Sequence, residues 1–424
     1  MQIVSLVLLG LFPVLALAVF NRPDPSYAKG FTRIYEGERD FSLRIMQQIR
    51  KSFPNDNLFF SPFSNYNALL LAFLASSGET EVELVQALSL NWARNKEQVR
   101  TAYVLNRNEH QMRIRQSPFE LSSVNRIFVD KSVSVKNNFE MILSGEIKQV
   151  DFKYQSGQAL REINEWIANE TNNQIPDMLS SEEITARTIV VLANAAYLKG
   201  QWLSQFKVEQ TSLKPFYISP HEQTTVSMMY QKGTFKMSFD RELQAQILKL
   251  PYRTQYDSKD TPRSTPEDKS TISMVLILPS SHQVTVDDVI SRLTADSLKT
   301  LVEGTFATEM EVSLPKFQFE QRLALTPILS NMGITRMFRY GATFEDLTSE
   351  RITIDDAQHV AKIQVDEMGS TAAAATILFS SRSARQPDPT KFICDHPFLF
   401  LIYDEKAHTV LFAGVYSDPR KMQQ

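Results

Sequence analysis

Residues able to do covalent chemistry are present in this chain but scattered. The six histidines, His110, His221, His282, His359, His396 and His408, fall at no metal-ligand spacing. There is no H-E-x-x-H, no C-x-x-C, no Gly-rich phosphate loop and no G-x-S-x-G elbow. Carboxylate pairs occur, none inside a catalytic motif. The expectation is therefore a chain with no catalytic residues, metal or cofactor, and not an enzyme. The single cysteine, Cys394, excludes an intrachain disulfide and, inside the apolar run Phe392–Ile402, reads as a small core residue.

What the residue pattern does offer is a change of conformation. Val365–Arg385, VDEMGSTAAAATILFSSRSAR, opens with an acidic β-type segment, turns at Gly369 and ends in a polar, Arg-bearing tip. Alanine propensity alone favours a helix here. Gly369 at one end, threonines on both sides and Ile377-Leu378-Phe379 beyond fit a helix poorly. As a strand, one face carries Ser370, Ala372, Ala374, Thr376 and Leu378, and the other Thr371, Ala373, Ala375, Ile377 and Phe379. Small side chains on both faces suit a segment that is free at one time and slides between strands at another without overpacking. A second oddity is Asn194. It lies within TIVVLANAAY (Thr188–Tyr197), a continuous apolar run typical of a central strand buried on both faces. A buried amide there is costly without partners.

These stretches resemble the serpin family. EMGSTAAAAT is similar to the hinge of the serpin reactive loop, and FICDHPFLFLI (Phe392–Ile402) to the strand that follows it. Ser61-Pro62-Phe63-Ser64, LANAAYLKGQW, LPKF and ALTPILSNMGITRMF match further family stretches, and the likeness runs from about Phe41 to Arg420. It implies an α+β serpin fold: a single large domain over residues 19–424, with three β-sheets, about eight to nine helices and an exposed reactive-centre loop over about 367–391. It also implies a suicide-substrate inhibitor of serine proteases, with the protease held in a covalent complex. The implied hinge is Glu367, Gly369, Ser370, Thr371, Ala372, Ala373, Ala374, Ala375 and Thr376. Ser61, Ser64, Asn194 and His359 match the shutter, where strands part during insertion, and Trp202 matches the breach, where the loop first enters. The family's usual spacing from the hinge glycine sets the cut at Ser383-Ala384, suited to an elastase-like enzyme. A spacing one residue shorter gives Arg382-Ser383, which suits a trypsin-like acidic pocket and is preferred; Arg385-Gln386 is a longer alternative. The rival reading is a non-inhibitory serpin serving as carrier, storage or chaperone protein. The small, uncharged hinge argues against it, while Met368 stands where the family often has a charge.

The positioning elements follow from pattern. FNRPDPSYAKG (20–30) reads as a loose polar arm, and FSLRIMQQIRKSF, from Phe41, as a helix. Asn57–Ser64 reads as a short buried strand breaking into a helix capped by Ser61 or Ser64, with Pro62 in its first turn and an end near Gly78. Leu121–Val129, Val226–Met229, Leu248–Tyr252 and Ile272–Leu278 read as strands. Ile163–Ile167 resembles the serpin helix lying across the front of the main sheet. Residues 254–270, TQYDSKDTPRSTPEDKS, read as an exposed polar insertion.

Composition sets the remaining bounds. With 424 residues, 43% hydrophobic and 22% charged, the chain is ordinary globular material, and a net charge of −3 argues against nucleic acid as partner. The N-terminal apolar run ending in Ala16-Leu17-Ala18 reads as a signal peptide, residues 1–18, and predicts a secreted, extracellular monomer without a membrane anchor. Asn169-Glu170-Thr171, the single N-x-S/T sequon, places a glycan at Asn169. Arg94, Lys96, Arg100, Arg107, Arg113 and Arg115 occupy the stretch that binds sulfated polysaccharide in some serpins. Glu97 and Glu109 dilute the run, so a solvated helix face is the preferred reading and the polysaccharide a weaker one.

Overall fold

The computed structural model describes residues 25–115, 120–143, 145–253, 272–281, 283–368 and 389–421. The leader 1–18, the insertion 254–270, the hinge from Gly369 to Thr376 and all three candidate bonds, from Arg382 to Gln386, lie outside them.

In chain order, α1 (Pro25–Ser52), β1 (Leu58–Phe60), α2 (Pro62–Ala75), α3 (Gly78–Ala87) and α4 (Lys96–Arg115) come first. Then follow β2 (Glu120–Asp130), α5 (Asn137–Ile142), β3 (Ile147–Val150), α6 (Phe152–Glu170) and β4 (Val190–Lys199). Next are β5 (Ser212–Ser219), β6 (Glu222–Asp240), β7 (Ala245–Pro251), β8 (Ile272–Pro279), α7 (Val286–Arg292) and α8 (Ala295–Glu303). The rest comprises β9 (Phe306–Pro315), β10 (Phe317–Ala324), α9 (Leu325–Asn331), β11 (Asp356–Val365), β12 (Thr390–Ile393), β13 (Phe398–Asp404) and β14 (Thr409–Tyr416).

The apolar run ending in β4 becomes the middle of a five-stranded sheet ordered β10-β11-β4-β2-β3. β4 is buried at every position except Lys199. Its alternate residues serve two layers, as a pleated strand requires. Val191, Ala193, Ala195 and Tyr197 pack under α6 through Ala159, Ile163 and Ile167. Val190 and Leu192 join the core built on α1 and α2, and Ala196 and Leu198 join the core of the second sheet. The second sheet runs β1-β14-β13-β8-β7-β6-β9-β12, with β5 also on β6. The long β6 pairs with β5 and β9 over its earlier part and with β7 at its end. The strands beyond the main sheet are thus hydrogen-bonded through β6 into one system. In this system Gly414 is required: a Cβ there would overlap the ring of Phe400.

Two expectations change. Helix α1 begins at Pro25, so residues 25–30 are helical rather than a loose arm. Its buried face already includes Ile34, Tyr35 and Glu38 ahead of Phe41 and Ile45. A charged residue in that face hides the apolar period upstream of Phe41. Phe392–Ile402, read as one strand, is two. Pro397 has no N–H for a ladder, and the Asp395 N–H turns back to the Ile393 carbonyl at 2.9 Å. β12 accordingly joins β9, while β13 joins β8 and β14. Cys394 sits at the break, fully buried, with its N–H on the Ser313 carbonyl.

Candidate functional site

Ser61 caps α2. Its Oγ accepts the Ser64 N–H at 3.0 Å and donates to the Leu411 carbonyl on β14 at 2.7 Å. The Ser61 N–H donates to Nε2 of His359 at 3.0 Å. That nitrogen is therefore an acceptor, the proton sits on Nδ1, and Nδ1–H donates to Oδ1 of Asn194. His359 on β11 and Asn194 on β4 are register partners. The Asn194 amide donates in turn to Ser64 Oγ at 2.8 Å and to Asn125 Oδ1 on β2. Ser123 Oγ donates to Ser64 Oγ at 2.9 Å. Ser61, Ser64, Asn194 and His359 are buried. Burial pushes the His359 pKa down to about 3, overriding its hydrogen bond to Asn194, so the ring is neutral at physiological pH.

The structure thus brings together four residues that the resemblance groups, Ser61, Ser64, Asn194 and His359. It adds Ser123 and Asn125, which the sequence reading missed. A signal existed. Leu121, Ser123, Asn125, Ile127 and Val129 alternate along β2, and Leu121, Ile127 and Val129 are buried, so two polar residues interrupt an otherwise apolar inner face.

A second cluster holds the chain as it leaves β11. Trp202, 2% exposed, donates its indole N–H to the Asp366 carbonyl at 2.9 Å. Its ring stacks on Tyr252, with centroids 4.8 Å apart and planes at 14°, and meets Phe206 edge-on. Glu367 is buried; its carboxylate accepts from the Thr211 hydroxyl at 2.7 Å and pairs with Lys316 at 2.8 Å. Burial opposes the charge, but the bonds from Lys316 and Thr211 outweigh it and hold the carboxyl below its usual range. The Phe206 N–H donates to the Glu367 carbonyl at 3.1 Å, and the Gln205 amide to that of Met368 at 3.0 Å. Every residue from Asp366 to Met368 is therefore tethered, immediately before the small-residue segment. Gln205, Phe206 and Thr211 carry no sequence motif, and Lys316, inside the matching stretch LPKF, shows its carboxylate partner only in three dimensions.

Asn169 is exposed at the last turn of α6, while Thr171 of its sequon is buried with its hydroxyl donating to the Ile167 carbonyl at 2.7 Å. On α4 the cations are largely engaged. Lys96 pairs with Glu81 and Asp346, Arg100 with Glu97, and Arg107 with Glu146.

The profile of the serpin (serine protease inhibitor) family matches residues 36–419. Serine protease inhibitor 88Ea of Drosophila melanogaster is 51% identical over 427 residues, covering 100% of both chains. Serpin B9 of Homo sapiens is 31% identical, over 89% of this chain and 97% of that protein. Leukocyte elastase inhibitor of Bos taurus is 30% identical over the same shares. Among solved structures, uncleaved ovalbumin shares the fold at a TM-score of 0.78 and 22% identity, over 91% of this chain and 100% of that one. A tumour-suppressing serpin does so at 0.78 and 20%, over 92% and 100%. A family profile running through nearly all the described residues, with full-length relatives beside it, makes this chain a member of the serpin family.

Proposed function

We propose that the chain is a secreted suicide-substrate inhibitor of trypsin-like serine proteases. One observation carries the reading. β4 and β11 are parallel neighbours inside the sheet, bridged by Asn194 and His359, and β11 leads directly through the tethered Glu367 into the small-residue hinge. A segment that turns back after Met368 runs antiparallel to β11, and hence antiparallel to β4. It fits between them as a further strand, with Ser61, Ser64, Asn194 and His359 as the shutter it must part, Trp202 at the breach and Glu367 opening the hinge.

The energetics favour that exchange. The β4–β11 ladder has eight register pairs from Asp356↔Val191 to Ile363↔Leu198. Insertion replaces one such ladder with two. At about 1 kcal/mol net per hydrogen bond, the gain is on the order of 8 kcal/mol before apolar burial is added. Losing an oxyanion-hole donor costs a protease about 3–4 kcal/mol of catalysis, so insertion can distort the captured enzyme. The protease serine attacks the Arg382 carbonyl, the Ser383 amine leaves, and an acyl-enzyme ester remains. Insertion must outrun attack of water on that ester. The leader-like residues 1–18 and the exposed Asn169 support an extracellular, glycosylated chain.

A second reading rests on the name of the leukocyte elastase inhibitor relatives. It places the cut at Ser383-Ala384 by an elastase-type protease. Incubation with trypsin and with elastase decides between them. The expected result is an SDS-stable complex with trypsin and a released fragment beginning at Ser383. Ser370→Arg, which puts a long cation into the inserting strand, should be cleaved without a complex. Complete cleavage of the natural chain by both enzymes with no covalent complex, and no rise in melting temperature after nicking, would leave the carrier or storage role in its place.

A further inference from the structure

The single N-x-S/T sequon, Asn169-Glu170-Thr171, is built into the end of α6 rather than into a loop. A glycan transferase reads the acceptor amide and the hydroxyl two residues on within one site. In an extended chain those two side chains lie on the same side. On a helix, residues two apart do not face each other. Here Asn169 is exposed, while Thr171, the C-cap of α6, is 0% exposed.

The Thr171 hydroxyl is also fully engaged. It donates to the Ile167 carbonyl at 2.7 Å and accepts the Ile175 N–H at 3.2 Å. The backbone around it is tightly wound. The Asn173 N–H donates to the Ala168 carbonyl at 2.7 Å and the Gln174 N–H to the Thr171 carbonyl at 2.9 Å. Asn172 and Asn173 turn the chain in the left-handed region, at φ of 51° and 58°. Ile167 and Ile175, on either side of the sequon, are buried in one layer with Val191, Ala193 and Ala195 of β4 and Val360 of β11. Turning the hydroxyl outward therefore means undoing the end of α6 and lifting both isoleucines from the sheet.

The same packing says when the sequon is open. The strands that close it lie C-terminal to it: β4 at Val190–Lys199 and β11 at Asp356–Val365. At about 5–20 residues per second, the roughly 190 residues from Thr171 to the end of β11 take on the order of 10–40 s to make. Through that interval the layer under α6 is incomplete, and residues 169–171 are free to take the extended form a transferase reads.

We propose that Asn169 is a modification site with a closing window: an oligosaccharide is transferred to it while the chain is being made, and never to the folded protein. Thr171 acts twice, first as the hydroxyl that the transferase reads and then as the buried lock on the end of α6. In the transfer, Asn169 Nδ2 bonds to the anomeric carbon of a lipid-diphosphate-linked oligosaccharide, the lipid diphosphate leaves with the bonding pair, and one amide proton passes to a base of the transferase. The proposal rests on the extracellular, glycosylated reading above.

The test uses the full chain made without glycan in bacterial cytoplasm, with purified oligosaccharyltransferase and its lipid-linked oligosaccharide. One sample is added folded; the other is diluted from urea, so that transfer competes with folding. Mass spectrometry reads the occupancy of Asn169. The folded sample is occupied at least about tenfold less, because reading it requires local unfolding. Equal occupancy overturns the closing window, and no modification of either sample overturns the site. Thr171→Ser keeps both the modification and the melting temperature. Thr171→Val loses the modification and, leaving the Ile175 N–H without its acceptor, lowers the melting temperature; an unchanged melting temperature overturns the second role of Thr171. A chain that leaves eukaryotic cells bare at Asn169, while the refolding sample is modified, overturns the glycosylated reading and leaves the closure by folding standing.

Discussion

The neutral state of His359 sets a pH dependence whose sign and size follow from its contacts. Nε2 accepts the Ser61 N–H, so a second proton there would face a donor, and no water reaches the fully buried ring. The folded pKa is about 3, against 6.5 for the free side chain. Below pH 6.5 the unfolded chain takes up a proton that the folded chain refuses. The contribution of His359 is thus complete above pH 6.5 and is lost as pH falls toward 3, at about 1.4 kcal/mol per pH unit. Between pH 7.5 and pH 5.0 the loss is on the order of 2 kcal/mol. The assay is the first urea unfolding transition of the natural chain and of His359→Gln at both pH values. Gln cannot titrate, so the difference between the two proteins should shrink by roughly 2 kcal/mol on acidification, even though the variant starts less stable. Taking the difference between proteins removes contributions from other titrating groups. Equal losses in both proteins would refute the buried, neutral tautomer and the network built on it.

Two further perturbations test neighbouring parts of the argument. Glu38 is buried in α1 and its pKa is pushed up to about 8, because burial outweighs the Ser42 hydroxyl and the nearby Arg39. Here the folded state keeps a proton that the unfolded state releases above 4.5, so stability is complete at low pH and declines as pH rises toward 8. Glu38→Gln should remove that decline and stabilise the chain by on the order of 3 kcal/mol at pH 7, read by urea unfolding; an unchanged pH profile would count against it. Asn194→Ala leaves the His359 Nδ1–H and the Asn125 carbonyl without their partner in a buried site. A loss of about 3–5 kcal/mol is expected, and a loss below about 1 kcal/mol would show that the network is not closed by this residue.

How much of this was legible in the chain depends on which constraint is local. β4 was legible because a strand buried on both faces reads as unbroken apolar sequence, and Asn194 stood out against it. The start of α2 was legible because Ser followed by Pro marks a helix start, but the sequence left the cap open between Ser61 and Ser64, and Ser61 takes it. The grouping of Asn194 with His359 came from family resemblance, since nothing local links residues so distant in sequence. Thr211 was not legible at all, and Lys316 was legible only as part of the matching stretch LPKF, not as the partner of Glu367. An exposed-looking lysine and threonine acquire meaning only when folding sets them on the carboxylate of Glu367. The split at His396-Pro397 was in the sequence, but an apolar run on both sides outweighed it.

The centre of the sheet is closed by polar side chains where an apolar pair would avoid any desolvation. The reason lies in register. Apolar contacts between β4 and β11 would survive a slip or a partial parting of the strands, because dispersion and burial are not directional. The hydrogen bonds of Asn194 and His359 do not survive it. The Ser61 N–H, the two ring nitrogens and the Asn194 amide are satisfied together only while both strands hold their present register against α2. Each buried group left unpaired costs about 1–3 kcal/mol, so intermediate openings are disfavoured over both the closed sheet and one filled by a new strand. A strand that supplies its own backbone ladder to β4 and β11 offsets that loss, and a side chain or water entering alone does not. On the inhibitory function proposed above, this polar closure would make opening an all-or-none event matched to one kind of intruder, an extended chain with side chains small enough to pass between the strands.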